Sequence, residues 1–265
     1  MSDPDPYKYH EFMWNPSDVK EFAKLFNIKE KHLAMCIYLT ARRKYYPELS
    51  DISLIVNRGI VCGGDYFEND FHRTILKLNT PIECYEDEGL PIPTEAFGIY
   101  VIINPKDTFK ALAASMFRCV DHISKGEEMI NAFKAFKVEL PKTSLKTDKY
   151  KQIDIDTKEV GKISSVNDLF ESLQFKPLLS VETRGGFHIV YNCEAENIKQ
   201  INKSFYEFKQ NTLMIKSNPK HKPTKDYWFS VTKEPMIILP GTFQGGFKTR
   251  IITIENWLYE QGVGY

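Results

Sequence analysis

The run Phe97-Gly-Ile-Tyr-Val-Ile-Ile103 restricts the fold more than any other stretch of the chain. A strand with one wet face alternates apolar and polar residues, so an unbroken apolar run of this length reads as a strand covered on both faces. Asn104-Pro105 is expected to stop it. Asp107 can then cap a helix to about Ile123, with Phe109, Leu112, Ala113, Met116, Phe117 and Val120 on one face. A strand feeding a helix in this way belongs to an α/β layer.

The rest of the chain extends this pattern. Residues 1–17 hold three prolines and read as an extended arm. Ser17-Asp18 can cap a helix that carries Val19, Phe22, Ala23, Leu25 and Phe26 on one side. The spacing predicts a second helix from about Lys29 to Lys44, ended by Pro47. Ile52–Val56 reads as a strand, and Gly59 and Gly63-Gly64 as turns. Leu140–Tyr150 reads as a surface connection. Strands are expected over Lys151–Asp156, Leu178–Val181 and Phe187–Tyr191, and helices over Ser165–Leu173 and 196–209. Met236–Leu239 and Thr249–Ile254 read as a closing hairpin around Gly241, Gly245 and Gly246.

Length and charge leave several functions open and exclude a few. A chain of 265 residues, 42% hydrophobic, can bury a sizeable core. Lysine plus arginine equals aspartate plus glutamate at 35 each, which neither favours nor excludes a nucleic-acid partner, because a local basic patch is enough. The five cysteines include no CxxC pair, which argues against a zinc ribbon and for reduced thiols in an intracellular protein. The polar, acidic start MSDPDPYKYHEF is not a signal peptide, and no apolar run is long enough to span a bilayer.

Three groups of residues carry chemistry. In Ile153-Asp154-Ile155-Asp156 the two carboxylates point to one side of a strand and the isoleucines to the other. Neighbouring carboxylates repel unless a cation neutralises them, and hard oxygen ligands suit Mg²⁺ or Mn²⁺. The same pattern also suits an edge strand whose aspartates face water. In the second group, Thr183-Arg184-Gly-Gly-Phe-His188 joins two apolar strands. Its glycines permit a tight turn, and Arg184 and His188 can grip a triphosphate. The alternative is an ordinary hairpin with a structural histidine. The third group is Asp226 and the loop Pro240-Gly-Thr-Phe-Gln-Gly-Gly-Phe-Lys-Thr-Arg250, where Thr242, Lys248 and Arg250 offer phosphate contacts. A plain hairpin with surface charges is the other reading.

These groups, in this order, resemble the motifs of the archaeo-eukaryotic primase superfamily. Ile-Asp154-Ile-Asp156 is similar to its first motif, Gly186-Phe-His188 to its second, and Asp226 followed by Leu239-Pro240-Gly-Thr to its third. The resemblance covers roughly residues 96–255. Thr183 stands where many members have serine, and Ile238 and Gln244 replace basic residues that many members carry near the third motif. The resemblance implies an α/β (α+β) fold with an RRM-like antiparallel catalytic sheet and packed helices in residues 96–265; residues 1–95, which the resemblance does not explain, read from their own pattern as a mainly helical lobe with a smaller β-α layer. It implies a metal-dependent nucleotidyltransferase that adds nucleotides from NTP or dNTP to a 3′-hydroxyl, with Asp154, Asp156 and Asp226 holding Mg²⁺ or Mn²⁺. Arg184, His188, Thr242, Lys248 and Arg250 would bind the nucleotide. The expected partners are nucleoside triphosphates, a DNA or RNA strand and a separate helicase or accessory subunit, with no membrane.

Between His188 and Asp226 lies a basic stretch with interleaved aromatics. Its Lys216, Lys220, Lys222 and Lys225 are candidate strand contacts, since lysines meet phosphates without reading bases. A solvated helix face followed by a loop would look the same. Two further readings stay open: a nucleotide- or nucleic-acid-binding module with a decayed site, and a template-independent RNA-repair or terminal transferase.

Overall fold

The computed structural model describes residues 10–81, 84–127, 130–143, 145, 149–194, 198–218, 221–232 and 235–263, without the side chains of 214–218 and 221–226. Within these residues the chain is mixed α/β, with antiparallel sheets and seven α-helices. In order the elements are α1 (Pro16–Leu25), β1 (Leu33–Arg42), β2 (Ser53–Cys62), α2 (Phe67–Leu76), β3 (Glu86–Asp87), β4 (Leu90–Pro91), β5 (Phe97–Asp107), α3 (Thr108–Ser124) and α4 (Ala132–Glu139). There follow β6 (Tyr150–Ile155), α5 (Val160–Ser172), β7 (Leu179–Glu182), β8 (Phe187–Asn192), α6 (Ile198–Gln210), β9 (Leu213–Asn218), β10 (His221–Tyr227) and β11 (Phe229–Thr232). The chain closes with β12 (Met236–Ile238), β13 (Phe243–Gln244), β14 (Phe247–Lys248), β15 (Arg250–Ile251) and α7 (Ile254–Glu260).

Two larger sheets organise the molecule. The first has the order β14-β13-β5-β1-β2, with β12 also paired to β5. The second has the order β11-β6-β8-β7-β15. Strand β5 is the buried strand expected from its apolar run, but it does not stop at Asn104-Pro105. Its register against β1 shifts between Ala34 and Cys36, and Pro105 sits at that irregularity, where a missing N–H costs the ladder nothing. Asp107 then caps α3, its carboxylate accepting from the Lys110 N–H at 3.0 Å.

Several expectations are corrected. Residues 29–44 do not form a helix. Leu33–Arg42 is β1, held between β2 and β5 with both faces buried, and a run that is apolar throughout has no period to separate strand from helix. The first 95 residues are therefore not mainly helical, and they share a sheet with β5, on the other side of the 95/96 boundary. Gly59 is no turn but an interior residue of β2, where a Cβ would come within 2.5 Å of the Thr74 methyl on α2. The closing hairpin does not form either. Met236–Ile238 pairs with β5 in the first sheet, and Arg250–Ile251 with β7 in the second. The cap of α1 is Asn15, whose side chain accepts from the Ser17 N–H.

The second sheet separates two apolar clusters, because its residues alternate. Tyr150, Leu179, Val181 and Val190 face the first sheet and join the core of β1, β5, α1 and α2. Ile153, Ile155, Phe187, Ile189 and Phe229 face the other way and pack with Phe170 of α5, Phe205 of α6 and Trp257 of α7. Asn104 clasps the two sheets at one end. Its side chain donates to Tyr150 O and accepts from Tyr150 N, both at 2.9 Å.

Candidate active site between the two sheets

Strand β6 runs from that clasp into the open. Along the face it turns to the first sheet, Tyr150 and Gln152 are buried, the Asp154 side chain is 34% exposed, and Asp156 is exposed. The sheets are thus closed at Tyr150 and accessible at the carboxylates. Asp156 lies one residue past β6, and its N–H donates to Trp228 O at 2.8 Å, which carries the strand direction on.

Asp154 pairs directly with His188 on β8 and with Ser230 on β11. The Nε2 atom of His188 stands 3.5 Å from Asp154 Oδ1. Its Nδ1 accepts the N–H of Ile238, 3.1 Å away on β12 of the first sheet. A backbone donor at Nδ1 leaves the ring proton of the neutral imidazole on Nε2, pointing toward Asp154. Burial pushes the His188 pKa down to about 4; Asp156 opposes that shift, while Lys44 and Arg42 reinforce it. The ring is a neutral donor at ordinary pH.

Gly186 makes this pairing possible. A Cβ there would meet Ile155 O at 1.8 Å, so only glycine lets the turn lie against β6. Arg184, two residues earlier, is exposed yet oriented. Its N–H donates to Gln244 Oε1 at 2.7 Å, its Nη1 donates to Gly245 O at 3.0 Å, and its guanidinium lies 5.2 Å from the centre of the Tyr45 ring. Gly245 is needed at this contact: its φ is +58°, and a Cβ would fall 2.6 Å from Tyr45 and 2.7 Å from Arg184.

The first sheet adds residues that the motif reading did not include. Arg42, at the end of β1, donates to the Tyr100 hydroxyl at 3.0 Å, and Tyr45 and Gln244 reach the same hydroxyl at 3.3 and 3.4 Å. Lys44 lies 5.1 Å from the Tyr45 ring centre. Arg42 and Lys44 near the end of β1, and Arg184 from the β7–β8 turn of the second sheet, thus bring positive charge to the region of His188, Asp154 and Asp156. The signal was present as Arg42-Arg43-Lys44-Tyr45 after an apolar run, but it was hidden by the helical reading of that segment.

Other expected site residues fall elsewhere. Thr242 is fully buried; its hydroxyl donates to Leu239 O at 2.6 Å, and Gly241 O accepts from Trp14 N and Asn15 N. The Pro240-Gly-Thr turn is therefore a joint that holds the N-terminal segment, with no face left for a ligand. Arg250 is consumed by two carboxylates, Glu182 at 2.7 Å and Glu260 at 2.6 Å. Lys248 lies over the Trp14 ring. The side chains of Asp226, Lys216, Lys222 and Lys225, and all of Lys220, lie outside the described residues. The backbone of Asp226 sits in β10, two residues before Trp228, the residue that accepts from Asp156.

Two carboxylates on one strand face, with the more exposed one at the mouth, fit a hard divalent cation. Among the described residues no group of three or more His, Cys, Asp or Glu stands together to complete such a site. No helix among them is long and apolar enough to cross a membrane. Comparison with family models, curated proteins and solved structures returns no match to this chain.

Proposed function

We propose that the protein is a metal-dependent nucleotidyltransferase of the archaeo-eukaryotic primase kind. The observation that carries this reading is the pairing of Asp154 with His188 beside Asp156, with Arg184 on the β7–β8 turn of the same sheet and Arg42 and Lys44 of the first sheet near the histidine. The RRM-like part of the reading is supported by connectivity. With the β9–β10 pair inserted between α6 and β11, elements β6-α5-β7-β8-α6-β11 run β-α-β-β-α-β, and their strands lie in the order β11-β6-β8-β7, with the helices on the face away from the carboxylates.

In this reading Asp154 and Asp156 hold Mg²⁺ or Mn²⁺, and Asp226 is the candidate third carboxylate. A bound ion of this kind supplies charge neutralisation and lowers the pKa of an attacking hydroxyl. The protein's own groups bind and orient. Arg184, fixed by Gln244 and Gly245, and Arg42 and Lys44 meet the negative charge of a triphosphate. His188 offers Nε2–H as a neutral donor whose direction is set by Ile238. The substrates would be a nucleoside triphosphate and a DNA or RNA 3′-hydroxyl, in an intracellular setting and with a helicase or accessory subunit as a separate partner.

A second reading, a nucleotide-binding module without turnover, has one observation in its favour: the residue directly across from Asp154 on β11 is Ser230, not an acid. One experiment separates the two. Labelled NTPs and dNTPs are incubated with Mg²⁺ or Mn²⁺ and with bare or primed template. Incorporation that Asp154→Asn and Asp156→Asn abolish, with folding intact, supports the transferase. Nucleotide binding without incorporation in every combination would leave the binding module.

A further inference from the structure

Helix α3 is turned inside out relative to an ordinary surface helix. Its buried residues are the small Ala111 and Ser115. Its large apolar residues Phe109, Leu112, Met116, Phe117, Val120 and Ile123 are each between 50% and 77% exposed. Phe109, Leu112, Met116, Cys119 and Ile123 follow one another at intervals of three and four residues, the spacing of a helix–helix seam. Beside this ridge, α4 presents Phe133 and Phe136, which with Met116 and Cys119 line a groove of about 570 Å³.

We propose that this face is the interface of a two-fold homodimer in which α3 packs antiparallel against α3 of a second copy, centred on Met116. Three observations favour a second copy. The first is area. Phe109 and Phe117 bury on the order of 150 Å² or more each when covered, and Leu112, Met116, Val120 and Ile123, all half or more exposed, extend the same apolar face. Exposed apolar patches of more than a few hundred Å² mark interaction sites. The second is shape, because one face offers both a ridge and a groove, as a self-complementary contact requires. The third is charge. The antiparallel register sets Phe109 against Ile123 and Leu112 against Val120 of the second copy. It also sets Asp107, at one end of α3, against Lys125 at the other end in the second copy, and brings Lys110 within one residue of Asp121. Within one copy these groups pair as Lys110–Asp107 and Lys125–Asp121, so both ends already carry both signs. Antiparallel helix dipoles add to the fit.

The test is the mass of the full chain in solution by sedimentation equilibrium across the micromolar range. The unmodified chain should sediment at twice its 30.8 kDa. Met116→Glu places two like charges on the axis and should give the mass of one copy, with an unchanged circular dichroism spectrum. Phe109→Lys and Ile123→Glu should each dissociate the pair, and the double variant should restore it, because the two positions meet only across an antiparallel contact. A single-copy mass for the unmodified chain, or a Met116→Glu variant that keeps the double mass, overturns the interface. A double variant that stays single overturns the antiparallel register.

Discussion

Gly186→Ala tests whether the carboxylate strand and the histidine strand are held together as described. The added Cβ would lie 1.8 Å from Ile155 O and 2.8 Å from both Ile155 C and Thr157 N. Ordinary contact begins near 3.4 Å, so the turn must retreat by about 1.6 Å from β6 (3.4 − 1.8). The obstacle is backbone in a paired strand, with Ile155 opposite Phe187 and Asp154 opposite His188, so no flexible side chain can yield instead. Overpacking of this kind costs about 1–3 kcal/mol, and a lost ladder hydrogen bond adds about 1 kcal/mol. With a urea dependence of about 2–3 kcal/mol/M, the unfolding midpoint should fall by roughly 1 M. Gly185→Ala is the control, since its nearest neighbour, Asp156 Oδ1, would be 3.9 Å away, in ordinary contact. It should stay within about 0.5 kcal/mol of the unmodified protein. Equal midpoints for the two variants would refute the close approach of the turn to β6, and with it the reason for a glycine there.

Glu182 accepts from Lys158 and Arg250 at 2.7 Å and from the Trp257 indole at 3.2 Å. Burial pushes its carboxyl pKa up, but the two cations outweigh this and hold it below the ordinary glutamate value. A depressed pKa contributes stability that is present above the ordinary value of 4.5 and lost as pH falls through the folded value, so acid melting curves should show a loss below about pH 4.5. Glu182→Gln should flatten that limb and cost about 1–3 kcal/mol at neutral pH, and an unchanged acid limb would refute the pairing. His188→Ala leaves the buried Ile238 N–H without its acceptor, at a cost of about 1–3 kcal/mol. On the proposed reading it should weaken nucleotide binding and spare binding to a single-stranded oligonucleotide, and equal loss of both in fluorescence titrations would mark a structural histidine. Arg42→Ala and Lys44→Ala should each weaken triphosphate binding more than nucleoside binding. Equal effects on the two ligands would remove them from the phosphate side of the cleft.

What could be read from the sequence followed from whether a segment has one wet face. β6 was legible because Ile153 and Ile155 are buried against α5 and α6 while Asp154 and Asp156 are not, so the alternation is written in the residue types. α6 was legible for a similar reason, whereas β7 and β8, buried on both faces, were legible as short apolar runs on either side of a glycine turn. β1 was misread because both its faces are buried, and a strand in the middle of a sheet carries no alternation. Helix α3 shows a different limit. Its period was correct and its apolar stripe was real, but periodicity reports that a stripe exists, not what covers it. Only the packing of Ala111 and Ser115 inward revealed that the stripe faces out.

The candidate site was half legible, because its two halves obey different rules. The acidic half lies on one strand, where residues two apart in sequence share a face, so Asp154 and Asp156 announce themselves. The basic half is assembled across a gap between sheets. Arg42 and Lys44 stand at the end of β1, and Ile238, which sets the His188 tautomer, is on β12 of the same sheet. No local spacing links residue 42 to residue 188. They meet because β1 pairs with β5, β5 with β12, and the Ile238 N–H on β12 donates to His188. The same reasoning explains why Thr242 and Arg250 looked like phosphate contacts and are instead engaged within the protein. A glycine-rich loop with nearby cations is also what a chain needs to cross between two sheets, and here the crossing uses the Thr242 hydroxyl and the Arg250 guanidinium for itself. A motif states which groups are available. Whether they face a ligand depends on which backbone carbonyls and carboxylates reach them first.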